Sequence, residues 1–420
     1  MAVVGDVVLY VIMAFVVIGA IAAIRDDKKG MGAEFINGLY SIGPIFLPVA
    51  GIMASIPYLS KLVEVVVAPV WSAAGADPAL AATTLIASDM GGYQLAESVS
   101  GSDAAWIMAL ITGFMAGATI VFSIPVGLAM LDKKDHKYMA LGIMSGILAI
   151  PIGVLISTAT IKLADVQVRG EAATTGPSDV SLDLTWGSIL VNLIPVTIFL
   201  VVVAVGLKMV PDVMVRIFLT FGRLMDAAIK IVLAVVIVEY FTGFGSRVFG
   251  AWGFDPIIAD TEDQFRALEV AGYIGIVLAG AFPMVYAIRT YLAGPVAAAG
   301  RRLGMSPEGA TGVLAAAANI LALYHLIAKM PAKDKVMTIA FATCSAFLLG
   351  DHLSFTANFQ PTLIGPVMLG KLTAGILAML LALWIAVPSA QRMEREELRD
   401  GDGTRRPGGT DEDTAAPTPA

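Results

Sequence analysis

The chain has 420 residues, 57% of them hydrophobic and only 15% charged, with a formal net charge of −7. A soluble chain carries roughly 25% charge, so a soluble globular protein is excluded, and the composition reads as an all-α polytopic membrane protein embedded in the lipid bilayer. A single cysteine, Cys344, rules out an internal disulfide or cysteine metal cluster, and three histidines offer little for a metal; no metal, cofactor, nucleic-acid partner or enzymatic activity is expected.

A membrane helix needs about 20 predominantly apolar residues. The first run, 5–24, is too long for a signal-peptide core and lacks a small-residue cleavage site, so residues 1–33 read as an extra transmembrane helix. Runs at 34–58, 104–131 and 138–163 follow, with a shorter, interrupted stretch near 76–100; together they form a unit over 34–163. Residues 164–267 hold two acidic loops around two linking spans, 185–207 and 223–243. A second unit, 268–392, contains runs at 268–292, 335–357 and 362–388 and another interrupted stretch near 306–328. Residues 393–420, rich in Glu, Asp, Gly, Pro and Thr, read as a disordered tail. The expectation is about nine transmembrane helices plus two re-entrant hairpins; counting the hairpins as crossings would give 10–11 spans.

Lys and Arg in short loops stay on the cytoplasmic side. Basic clusters occur at 25–33, 132–137, 208–223, 289–304, 329–335 and in the tail. All can share one side only if the interrupted stretches do not cross. The N-terminus is then outside, the C-terminus cytoplasmic, and the two hairpins enter from opposite sides.

The two units also resemble each other. APVWSAAGADPALAATTLIASDMGG (68–92) matches GPVAAAGRRLGMSPEGATGVLAAAANI (294–320), with Asp77-Pro78 against Ser306-Pro307, and LGIMSGILA (141–149) matches LGKLTAGILA (369–378). With the topology above, this is an inverted repeat. Such repeats with interrupted helices are the architecture of secondary transporters, whose site lies where the helices break.

The first hairpin turns at SDMGGYQ (88–94), where Gly91 and Gly92 supply a tight turn; the second turns near Asn319. The long helix after each hairpin is also expected to break: at GATIVFSIP (117–125), carrying Thr119, Ser123 and Pro125, and at GDHLSF (350–355), where Gly350 precedes Asp351 and His352. Under the inverted symmetry the four breaks converge. An ionisable group at that depth costs about 2.5–3.5 kcal/mol and is a functional candidate. Asp89 and Asp351 meet no Lys or Arg at a matching break; Lys371 is a turn or more away and is expected to snorkel. The missing cation is then the substrate or a coupling ion. Tyr93, Phe355 and Tyr324 could offer ring faces to an ammonium, and His352 could hold Asp351 or a substrate oxygen. Plainer roles stand beside these: Asp89 as a helix cap, His352 as a structural partner, Thr119, Ser123 and Asn319 as interhelical hydrogen bonds, and Asn192 as packing.

At SDMGGYQLAESVSGSDAAW (88–106), GATIVFSIPVGLAM (117–130) and LGDHLSFTAN (349–358), the sequence resembles the ethanolamine permeases of bacterial ethanolamine-utilisation operons, the EutH family. The resemblance implies a multi-pass protein of the bacterial inner membrane that imports ethanolamine, by alternating access, for its catabolism. On that reading Asp89 and Asp351 balance the substrate's charge, while Asn319, Thr119 or Ser123 and His352 bind its hydroxyl. Uniport, proton coupling and sodium coupling all remain open, as do choline against ethanolamine and the oligomeric state, a homo-oligomer included. A carrier for a nucleoside would ask for more hydrogen-bonding side chains. An intramembrane aspartyl protease is disfavoured, because Leu348 breaks the Gly-x-Gly-Asp pattern.

Overall fold

A computed structural model describes residues 2–250 and 252–403. The described residues are predominantly helical, and the only β pairing among them is an isolated antiparallel bridge between Val168 and Val180. Among the described residues, eight helical stretches are long and apolar enough to cross a membrane. All but Ile56–Ala73 coincide with expected runs. Two further expected runs fall outside that count. Pro211–Thr242 carries charges along much of its length, and Ala332–Ser345 is separated from Asp351–Phe359 by a non-helical stretch.

The loops sort onto two faces. On one, Lys333 donates to the carbonyls of Leu303 and Gly304 (2.7 and 3.0 Å), Lys335 pairs with Asp135 at 2.6 Å, and Glu394 accepts the Ala332 N–H at 2.9 Å. These contacts gather loops 132–137, 303–306 and 329–335 with the C-terminal helix, and we call this the basic face. On the other, Glu97 accepts from the Ala172 N–H (2.9 Å), the Asp255 N–H donates to the Ala54 carbonyl (2.9 Å), and Arg169 reaches the Asn358 carbonyl (2.5 Å).

Both interrupted stretches fold back on themselves as hairpins, and each is closed at its mouth by one aspartate. Asp77 caps Pro78–Leu85 by accepting from the Ala79 N–H, and its second oxygen takes the Gly101 N–H at 2.8 Å, just past the end of Gly92–Val99. The start and finish of the first hairpin therefore lie together, opposite the basic face. In the second hairpin Ser306 caps Pro307–Ala318, and its N–H donates to Asp334 (2.8 Å) in the first turn after the returning limb Ile320–Ile327. That mouth lies on the basic face. Asn192, expected to serve packing, accepts the Asp77 N–H at 2.7 Å and ties the first mouth to Trp186–Met209.

Several expectations need correction. The run expected at 34–58 ends as a helix at Ala54, and Ile56–Ala73 is a further helix that begins and ends on the same face, ahead of the first hairpin. Its Lys61 and Glu64, with Pro57 and Pro69, hid it from a search for unbroken apolar runs. The tail begins later than expected: Val387–Gly403 is an amphipathic helix, and its Glu397 pairs with Lys137 and accepts from the Tyr138 hydroxyl at 3.0 Å. The rest of the tail, 404–420, lies outside the described residues.

Candidate functional site

The four segments where breaks are expected do meet. A cavity of about 290 Å³ is walled by Asp89 and Met90 of the first hairpin tip, Ala118 and Phe122 of the following long helix, Asn319 and Leu321 of the second tip, and Phe347, Asp351 and His352 of the broken helix. Ser41, Pro44, Ile45 and Pro48 close one side and Phe282 another. That volume is at the small end for ligand pockets, which run from about 300 to 1,000 Å³.

Local chemistry explains how each polar group arrives there. At the first tip Gly91 adopts φ 93°, a left-handed conformation that favours glycine. A Cβ on Gly92 would stand 2.6 Å from the Ala87 carbonyl oxygen, so the close turn presenting Asp89 also needs glycine there. At the second tip the Asn319 Oδ1 accepts the Leu321 N–H at 2.8 Å, capping Ile320–Ile327 and leaving the amide nitrogen for other partners. The turn residues 346–350 are tied to the end of that hairpin's first limb: the Phe347 and Leu349 N–H groups donate to the carbonyls of Ala316 and Ala317 (3.3 and 2.8 Å). Phe347 sits at φ 58°, an uncommon position for a bulky residue, of the strained kind that clusters at ligand sites. Gly350 is required too, since a Cβ there would meet the Ala318 carbonyl oxygen at 2.4 Å.

His352 lies 3.6 Å from Asp89, through Nε2 and Oδ1, with its side chain 1% exposed. Its sequence neighbour Asp351 is not its acid partner. Both ring nitrogens of His352 and Oδ1 of Asp89 are buried without a hydrogen-bond partner. Buried polar groups are nearly always paired, so an unpaired set beside a cavity marks where a polar ligand would complete the bonding.

Other expected residues sit off the cavity wall. Thr119 donates to the Thr343 carbonyl (2.7 Å) and Ser123 to the Ala118 carbonyl (3.1 Å); the Tyr324 hydroxyl in turn holds the Ser123 carbonyl at 2.7 Å. Tyr93 stacks on Trp106 at 4.7 Å, meets Phe355 and Phe359 edge-on, and accepts from Gln360 (2.8 Å). This aromatic pack stands between His352 and the face opposite the basic one, because Asp351–Phe359 runs that way towards Arg169. These side chains hold the site's walls and do not line it.

The break expected at 117–125 takes another form. Gly113–Ser123 is continuous but π-helical, passing directly into Ile124–Met130 with Pro125 in its first turn. A π-helix widens the turn and frees carbonyls, and such segments recur at functional sites. Two carbonyls of this region have found outside donors. Ser88 donates to Leu110 O at 2.9 Å, and Lys371 donates to Phe114 O at 2.7 Å. Lys371 was expected to snorkel, yet it is 1% exposed, and the Phe114 ring lies tilted against His352 at 4.6 Å. A resident lysine amine therefore sits one layer behind the histidine, a position that the sequence does not announce. The only signal for it was a lysine far from either end of a run otherwise apolar.

A second cavity of about 830 Å³ shares Pro44, Pro48, Met90 and Phe122 with the central one and extends to Lys133, His136 and Arg223 of the basic face. The site thus opens towards that face, and the aromatic pack closes it from the other.

Comparison with known proteins places this geometry. Residues 4–385 match the family described as "Ethanolamine utilisation protein, EutH". The chain belongs to that family. It is 34% identical over 402 residues to the probable ethanolamine permease EutH of Escherichia coli K12, covering 91% of this chain and 95% of the relative. Identity is 35% with the probable ethanolamine permease EutH of Salmonella typhimurium LT2, over the same shares. An uncharacterized protein of Bacillus subtilis, YxeR, is 31% identical over 93% of this chain and 98% of its own length. No solved structure matches the chain. This EutH-family chain is an all-α polytopic membrane protein.

Proposed function

We propose that this chain is an ethanolamine permease of the bacterial cytoplasmic membrane, carrying the protonated amine by alternating access. The observation that supports this most is the meeting of Asp89, Asp351, Asn319 and His352 around one small cavity at the convergence of both hairpins and both long helices. The relatives named as probable ethanolamine permeases point to the same substrate. Ethanolamine's amine resembles a lysine side chain, with a pKa of about 10.4, so it is a cation at neutral pH. Asp89 and Asp351 balance the ammonium; the Asn319 amide and His352 take the hydroxyl. Thr119, Ser123, Tyr93 and Phe355 position these groups without touching the substrate.

With the basic face taken as cytoplasmic, the N-terminus is outside, the C-terminus inside, and the wide passage leads to the cytoplasm. The aromatic pack is then the closed external gate. The substrate carries its own positive charge, so on this reading no coupling ion is required. The membrane potential, worth about 2.3 kcal/mol per charge per 100 mV, suffices to draw the substrate in.

The test is uptake of labelled ethanolamine by cells lacking their own carrier, at micromolar substrate and slightly acid pH, where leakage of the neutral amine is small. Uptake should survive replacement of sodium, lose its accumulation above the external level on collapse of the membrane potential, and be indifferent to uridine. Competition by uridine would instead favour a nucleoside carrier.

A further inference from the structure

Opposite the basic face, a separate cavity of about 270 Å³ is lined by Gln94 and Glu97 of the first hairpin's returning limb, by Glu171, and by Asp255, Asp263 and Arg266. We propose that this cavity is a second, weaker site for a small primary ammonium bearing a hydroxyl, occupied before the substrate passes to the central cavity. The proposal rests on the permease reading and adds a station to its path.

The first support is charge. Four carboxylates face a single guanidinium, and Arg266 is already committed to Asp260 and Asp263 at 3.3 and 3.4 Å. Burial outweighs the pull of Arg266, with Asp263 adding a smaller push, and holds the Asp255 carboxyl above the usual range. A cation in the cavity would favour its charged form.

Acidic residues alone would not make a site; Gln94 supplies the independent observation. Its side chain is 8% exposed, it lines this cavity, and neither its amide oxygen nor its nitrogen has a hydrogen-bond partner among the described residues. A buried amide with both ends unpaired is rare in a folded protein. Here it offers an acceptor and a donor together, which suits a hydroxyl better than it suits a bare metal ion. Position supports the same conclusion. Gln94 lies on the limb that begins at the Asp89 tip, next to Tyr93 of the aromatic pack. The cavity is thus the chamber on the far side of that gate from the central site.

The experiment is equilibrium binding of labelled ethanolamine to the full chain, purified and placed in lipid nanodiscs at low ionic strength. Two binding events are expected. Gln94→Leu, close in shape, and Glu171→Gln, at an exposed position, should each weaken the second event at least fivefold. Asp351→Asn should weaken the tighter event about ten- to a hundredfold and leave the other unchanged. If Gln94→Leu does not elute as folded protein, Glu171→Gln decides alone. A single event that Asp351→Asn weakens, and that neither other change alters, overturns the second site and leaves the permease reading intact. No binding by the unaltered chain removes both.

Discussion

Gly117 couples the first hairpin to the wall of the central cavity, and a single methyl there tests how closely that coupling is built. Gly117 lies in the π-helical segment Gly113–Ser123, and a Cβ would stand 2.5 Å from the carbonyl oxygens of both Thr83 and Ile86. Carbon–oxygen contacts normally begin at about 3.3 Å, so the hairpin limb would have to retreat by roughly 0.8 Å. Both obstacles are backbone atoms, so no rotamer change relieves the clash. Overpacking of this kind costs about 1–3 kcal/mol, which in a chain of this size lowers Tm by a few degrees. Ile86 precedes Asp89 by three residues, so the retreat widens the 3.6 Å separation between Asp89 and His352. Gly117→Ala should therefore melt earlier and take up ethanolamine at least tenfold more slowly. The control is Gly294→Ala, where a Cβ would meet nothing within 4 Å and helix propensity favours alanine. Thermal melting in detergent and uptake in cells read both effects. If Gly117→Ala melts and transports like Gly294→Ala, the close approach is not what positions the tip.

Lys335→Ala should destabilise the chain by about 3–5 kcal/mol, because it strands Asp135, whose side chain is 1% exposed and paired at 2.6 Å; adding Asp135→Leu should recover much of the loss in a melting assay. Lys371→Met removes the buried amine behind the site and any positive charge it carries, so KM for uptake should fall about tenfold, or 1.4 kcal/mol, and the maximal rate should fall with it as release slows. A rise in KM would show that Lys371 helps bind the substrate. Asp255→Asn should raise stability at neutral pH. The folded carboxyl holds its proton more tightly than the unfolded one, so the wild type loses stability as pH rises from the unfolded value of about 3.9 through the raised folded value. Asparagine escapes that loss, and the two melting curves should coincide at still lower pH.

What the sequence made legible was what a bilayer imposes locally. Long apolar runs announced the crossings, and Asp77-Pro78 and Ser306-Pro307 announced the starts of the hairpins, since a cap followed by proline is a local helix signal. The convergence of Asp89, Asn319, Asp351 and His352 followed from the inverted repeat. What stayed hidden was non-local pairing. Nothing near His352 in sequence shows that its neighbour in space is Asp89, nor that Lys371 would find the Phe114 carbonyl. Thr119 and Ser123 look like ligand groups on a list of polar residues, but backbone carbonyls absorb both hydroxyls. The π-helix was illegible for a similar reason: its widened turns are sustained by tertiary packing against the hairpin, and composition does not record them. The helix Val387–Gly403 escaped notice because its charges suggested solvation, while its Glu394 and Glu397 have specific partners on the basic face.

The central claim is that two membrane carboxylates hold the substrate's ammonium. The most direct measurement is the affinity of the purified chain for labelled ethanolamine, compared with Asp89→Asn and Asp351→Asn. An ammonium about 4 Å from a carboxylate gains roughly 4 kcal/mol at an effective dielectric constant of 20, part of which the amide's hydrogen bond would retain. Each substitution should therefore weaken the tight binding by about ten- to a hundredfold, with the protein folded and eluting normally. Unchanged affinity in both variants would mean that the carboxylates at the convergence do not hold the ammonium.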